Sequence, residues 1–131
     1  MPFLIDTDIY IYLTKAHLPI LKKIHEVGDE NIYFSSITIA ELYFGVFNSR
    51  KQAENLERLR KNLDKLQILD FNKQSAQIFG QLKAELKRKG TPITDMDLAI
   101  ASIAIRHHYT LVTHNTRHFQ KVPHLILEDW Y

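Results

Sequence analysis

The sequence predicts a three-layer α/β/α domain built around a central parallel sheet. Three observations carry that prediction. Short apolar runs alternate with amphipathic stretches along the whole chain, which is the pattern of strands joined by helical crossovers. The length, 131 residues, suits one hydrophobic core, so residues 1–131 are read as a single domain. The composition, 45% hydrophobic and 24% charged, argues against disorder or a low-complexity repeat.

Phe3-Leu4-Ile5 reads as a strand buried on both faces, and it stops at Asp6. Thr7 or Asp8 then caps a short helix through Leu13. Pro19 marks the start of a second helix, Ile20 to Val27, which Gly28 closes. Asn31 to Ser35 is the second strand. Behind it, Thr38-Ile39-Ala40-Glu41 has the capping-box pattern and opens an apolar helix to about Phe47, with Glu41 in its first turn.

Leu56, Leu59, Leu63 and Leu66 follow helical spacing, opposite a basic face of Arg58, Arg60, Lys61 and Lys65. Gln67 to Phe71 supplies a third strand. Asn72 to Lys89 is a helix with Ala76, Phe79, Leu82 and Leu86 on one face and Gly90 as its stop. Thr94 precedes Asp95-Met96-Asp97, and Leu98 to Ile105 is apolar nearly all round, so this helix runs through the middle of the domain. Thr110 to Thr113 and Leu125 to Leu127 complete the strands.

In such sheets ligands bind in the crevice outside the carboxyl ends of the strands. Five acids fall at strand ends or helix starts: Asp6, Asp8, Glu41, Asp95 and Asp97. If they share one cleft, the rest of the chain carries 17 basic residues against 10 acids, a balance of +7. That surface attracts a polyanion, and the cleft repels one unless cations fill it. Three carboxylates within about 4 Å repel by several kcal/mol at an effective dielectric near 20. A divalent cation relieves this without loss of charge, and oxygen ligands with no Cys favour Mg²⁺ or Mn²⁺. A carboxylate-held ion with bound water suits hydrolysis of a phosphodiester.

Each acid also has a plain structural reading. Glu41 can complete the capping box, and Asp95 and Asp97 can simply favour a helix N-terminus. Asp6 is harder to explain this way, because it ends an apolar strand, where a carboxylate needs a partner or a cation.

Four ordered blocks carry a family resemblance. Leu4-Ile5-Asp6-Thr7-Asp8, then Ser36-Ile37-Thr38-Ile39-Ala40-Glu41-Leu42, then the run from Pro92 to Ala101, then Leu111-Val112-Thr113-His114-Asn115 resemble the PIN-domain nucleases in order and spacing. The closing Phe119-Gln120-Lys121-Val122-Pro123 and Glu128-Asp129-Trp130 are similar to the VapC toxins of prokaryotic toxin–antitoxin pairs. The resemblance implies a Mg²⁺-dependent endoribonuclease, held inactive by a small VapB-like antitoxin and forming a homodimer. It implies Asp6 and Asp97 as principal metal ligands, Glu41 as the third acid, Asp95 and Asp8 as secondary, and Thr113 as a supporting hydroxyl. Where the family often has a fourth acid, this chain has Asn115, which carries no charge. One well-held ion is therefore expected, with a second recruited by substrate phosphate.

The remaining motifs are weaker. His114 and His118 are four apart, but no HExxH pattern or third ligand joins them, so they suit phosphate contact better than zinc. His107-His108 at a helix end is assigned no chemistry. Tyr10, Tyr12, Tyr43, Phe44 and Phe47 are mostly core, and those that are not offer an apolar groove for an antitoxin helix or a second subunit. Isolated glycines exclude the glycine-rich nucleotide loops. The absence of Cys, of a basic leader and of a long apolar run suits a soluble cytoplasmic protein. Two rivals remain: an aspartyl-phosphate phosphatase using Asp6 and Asp8, and a phospho-accepting receiver using Asp70.

Overall fold

The computed structural model describes all 131 residues. Five strands form one all-parallel sheet in the order β3-β2-β1-β4-β5: β1 Phe3–Ile5, β2 Ile32–Ser35, β3 Ile68–Leu69, β4 Thr110–Val112 and β5 Leu127–Glu128. The helices between them are α1 Thr7–Thr14, α2 Leu18–Val27, α3 Ser36–Phe47, α4 Gln52–Leu63, α5 Lys73–Lys89, α6 Asp95–His107 and α7 Thr116–Phe119.

The three layers follow from strand alternation. Successive side chains of a strand point to opposite faces, so Leu4 and Leu111 enter one core while Phe3, Ile5 and Val112 enter the other. Leu4 and Leu111 pack with Leu82 and Leu86 of α5, Leu98, Ile100 and Ile103 of α6, and Phe119 of α7. On the opposite face Phe3 and Ile5 pack with Ile9, Tyr10, Ile20 and Trp130. Helix α6 is buried continuously from Leu98 to Ala104, as expected of a helix apolar on every side.

The order in which strands are added to the sheet reverses between β1 and β4, which run parallel. From β1 the next strands build outward through β2 to β3; the chain then crosses back to place β4 on the other side of β1. That switch point opens a crevice at the carboxyl ends of β1 and β4, where Asp6 and Thr113 lie.

Several local expectations are corrected. Asp6, not Thr7 or Asp8, is the N-cap of α1. Ser35 caps α3, its hydroxyl accepting the Thr38 N–H at 3.0 Å, so Glu41 lies in the second turn and no capping box forms. Helix α4 ends at Leu63, and Leu66 packs beyond it against the Phe3–Ile5 core. On α5 the buried position is Ser75 rather than Ala76, which is exposed. The last strand lies at Leu127–Glu128, two residues later than Leu125.

Candidate active site

Asp6 is the centre of the crevice. It is 5% exposed, and both carboxylate oxygens are engaged: Oδ1 accepts the Thr7 N–H at 2.8 Å and Oδ2 accepts the Thr113 hydroxyl at 2.8 Å. Its backbone N–H donates to Val112 across the β1–β4 seam, so the strand pairing itself sets its position. Burial, and then the charge of Asp8, push its pKa up to about 7; the bonds from Thr113 and Thr7 oppose this, and Asp97 adds to it.

Asp8 lies two residues further, half-buried in the first turn of α1. Its Oδ1 accepts the Ile9 N–H at 2.7 Å and its Oδ2 the His114 N–H at 3.1 Å. Burial raises its pKa despite those bonds. Thr113 is fully buried and works in two directions, donating to Asp6 and accepting the Asn115 N–H at 3.0 Å. Asn115 itself is exposed and precedes α7 without a side-chain capping bond.

Glu41 reaches the crevice from α3. Its Oε1 accepts the Thr7 hydroxyl at 2.6 Å; Thr7 Oγ1 also lies 3.0 Å from Thr38 Oγ1, which lies 3.3 Å from Ser35 Oγ. Asp97 enters from the first turn of α6, where Thr94 caps the helix and accepts the Asp97 N–H at 3.4 Å. Its Oδ2 stands 3.8 Å from His118 Nδ1. Asp6 and Thr113 directly follow β1 and β4, Asn115 lies two residues beyond Thr113, and Asp8, Glu41 and Asp97 come from the N-terminal turns of α1, α3 and α6, all at one end of the sheet.

Asp95 does not join them. Its carboxylate pairs with Lys83 of α5 at 3.0 Å on the exposed side of α6. No three His, Cys, Asp or Glu side chains are grouped so as to hold a metal ion between them. Hydroxyls and backbone N–H groups hold the carboxylates individually instead. The donor set is nonetheless hard oxygen throughout, and a buried carboxyl with two acidic neighbours raising its pKa suits a divalent cation that keeps water in its shell.

The histidines separate. His114 Nδ1 lies 2.9 Å from Asp129 while His118 faces Asp97, so the pair forms no common site. Of the aromatic group, Tyr10 is buried and Tyr12 and Tyr43 are half-buried, whereas Phe44 and Phe47 are 70% and 55% exposed. Asp70 ends β3 at the sheet edge, two strands from Asp6, which removes it from the crevice a receiver requires. Sequence reasoning missed Thr7 and Thr38 as partners of Glu41, and missed the ring cluster of Tyr12, His17, His114 and Tyr131; these contacts join separate segments and leave no periodic signal.

An α/β/α sheet of this order with acids gathered at its switch point defines a class, and residues 3–125 match the PIN domain model: the chain belongs to the PIN domain family. Among its relatives, ribonuclease VapC2 of Rickettsia felis is 39% identical over 137 residues, covering 99% of this chain and 98% of the relative. The tRNA(fMet)-specific endonuclease VapC of Salmonella typhimurium is 33% identical over 130 residues, with the same coverage. The fold is similar to the crystal structure of VapBC2 from Rickettsia felis bound to a DNA fragment from their promoter, with a TM-score of 0.89, 38% identity and 100% of both chains covered. It is similar also to DNA-bound VapBC from Salmonella typhimurium, with a TM-score of 0.92, 33% identity, and 100% and 99% covered. PIN-domain ribonucleases depend in general on a divalent metal, and no helix here is long and apolar enough to cross a membrane.

Proposed function

We propose that this chain is an endoribonuclease, the toxin of a toxin–antitoxin pair, and that Mg²⁺, or Mn²⁺ in its place, is its metal. The observation that carries the reading is Asp6: a carboxyl buried at the β1–β4 switch point, held by two donors, with Asp8 and Asp97 acting on its charge. Such a group is held ready for a cation rather than for solvent. Full-length similarity to VapC ribonucleases supports the same activity.

Asp6, Asp97 and Glu41 are the residues that would hold the ion, with Asp8 behind Asp6. An ion held there would supply Lewis-acid chemistry, activating a water and offsetting charge on the leaving oxygen of a phosphodiester. Thr113 fixes Asp6, Thr7 fixes Glu41, and Asn115, tied to Thr113 through its backbone N–H, leaves an uncharged polar residue exposed beside Asp6's partner. Asp95, paired with Lys83, has no part in this.

The partner is a small VapB-like antitoxin, as the VapBC complexes of the relatives suggest. Its surface is the cleft of about 300 Å³ between α1, α3 and α4, lined by Thr7, Ile11, Glu41, Leu42, Val46 and Leu59. That cleft reaches Glu41 and its partner Thr7 directly, so a segment lying in it also meets one of the acids. The exposed Phe44 and Phe47 extend the apolar surface of α3 and suit a homodimer contact or a longer antitoxin segment. The test is cleavage of RNA by the purified chain with Mg²⁺ and with chelator, starting with tRNA(fMet). Loss of activity on chelation and on co-expression with the antitoxin is expected; metal-independent cleavage would overturn the reading.

A further inference from the structure

The crevice has an aromatic rim that the acids do not explain. The Tyr131 ring lies between two imidazoles, stacked on His17 at 4.3 Å and 22° and on His114 at 4.1 Å and 23°. Tyr12 braces this column from the side, meeting His17, Tyr131 and His114 at 5.8, 4.7 and 6.0 Å. Three separate parts of the chain, around α1, the β4–α7 loop and the segment after β5, therefore build a single stack of rings.

His114 is the end of that stack nearest the acids, between Thr113 and Asn115. It is anchored twice without using its outer face: Nδ1 lies 2.9 Å from Asp129 Oδ2, and its backbone N–H donates to Asp8. Asp129 is held in turn by the Tyr131 N–H at 2.9 Å. The ring meets Tyr131 on one face and the edge of Tyr12, and 41% of the side chain remains exposed.

We infer that the outer face of His114 is a stacking platform for one unpaired RNA base next to the cleaved phosphate. A planar ring fixed in place before binding costs little ordering, and unpaired bases stack readily on imidazole and phenol rings. The flanking Asp8 and Asp129 disfavour a phosphate at this spot but not a neutral base. This rests on the ribonuclease reading, and it adds a nucleotide subsite to it.

The test uses short single-stranded RNA oligonucleotides carrying one 2-aminopurine at successive positions, bound by the full chain with Ca²⁺ in place of Mg²⁺. Stacking quenches the fluorescence of the base at one position. His114→Ala and His114→Gln should abolish that quenching and weaken binding by roughly tenfold, while His114→Phe should retain both. Melting curves establish that each variant is folded. Quenching that survives in His114→Ala, or that follows His114→Gln rather than His114→Phe, would overturn the platform and make His114 a holder of its loop. A wild-type chain that cleaves no RNA with Mg²⁺ would overturn the ribonuclease reading and the platform together, whereas wild-type cleavage without position-specific quenching removes the platform alone.

Discussion

The Thr7 hydroxyl donates to Glu41 Oε1 across 2.6 Å, joining the first turn of α1 to the second turn of α3. A hydroxyl has one proton, so with that proton on Glu41 the 3.0 Å contact to Thr38 is a bond donated by Thr38, and Ser35 donates to Thr38 in its turn. The hydroxyls, buried at Ser35 and Thr38 and half-buried at Thr7, form a one-way chain that ends on the carboxylate, each bond polarising the next. Thr7→Val should therefore lower the rate of RNA cleavage about tenfold, the scale of a hydrogen bond to a charged group, and Thr7→Ser should restore it. Kinetics of both variants beside their melting temperatures check this; an unimpaired Thr7→Val would show that the bond orients nothing of consequence.

Asp97→Asn and Asp6→Asn should each abolish Mg²⁺-dependent cleavage. Without metal, both should be as stable as the parent or slightly more so, since one charge of a like-charged group is removed. Paired cleavage assays and metal-free melting curves decide it. For Asp97, retained activity or a large drop in metal-free stability would point instead to a role confined to the start of α6.

Asp6 also predicts a pH dependence. Its folded pKa of about 7 lies above the ordinary 3.8, so the folded state takes up its proton more readily than the unfolded chain. That contribution to stability is complete below pH about 4 and is lost as pH rises through about 7, a change of a few kcal/mol. Metal-free protein should lose stability across this window, and Asp6→Asn should flatten that part of the curve. Added Mg²⁺ should stabilise more strongly as pH rises, because the ion competes with the proton. Denaturant titrations at several pH values measure both effects.

Phe44→Ala should leave cleavage by the free chain intact while weakening a protein partner, by roughly tenfold or more where the ring is a central anchor. Sedimentation of the chain alone and titration with antitoxin tell whether the loss falls on self-association or on inhibition. If neither changes, the exposed ring of α3 has no partner.

Much of the fold was legible because it rests on patterns a linear sequence displays. Apolar runs at Phe3–Ile5 and Thr110–Val112, the helical spacing of Leu82 and Leu86, and the stop at Gly90, whose φ of 71° favours glycine, were all readable. Helix α7 was not, because four residues give no period; only the full burial of Phe119 reveals why it forms. The site divides likewise. Asp6, Glu41 and Asp97 stand in ordered blocks at strand and helix ends. The partners of those acids were hidden, since Thr7 with Glu41 and Lys83 with Asp95 depend on which way each side chain turns. Asp95 and Asp97 are two residues apart, about 200° around a helix, and that rotation alone sends one to the crevice and the other to α5.

Asp6 is both the cap of α1 and the buried acid of the crevice. An alanine there would unseat the helix as well as discharge the site, and a dead protein would say little about either. Asparagine keeps an oxygen for the Thr7 N–H and is among the strongest helix-capping residues. It is thus the substitution of choice for a harmless, intact form of this protein, fit for overproduction in living cells and for trapping uncleaved RNA.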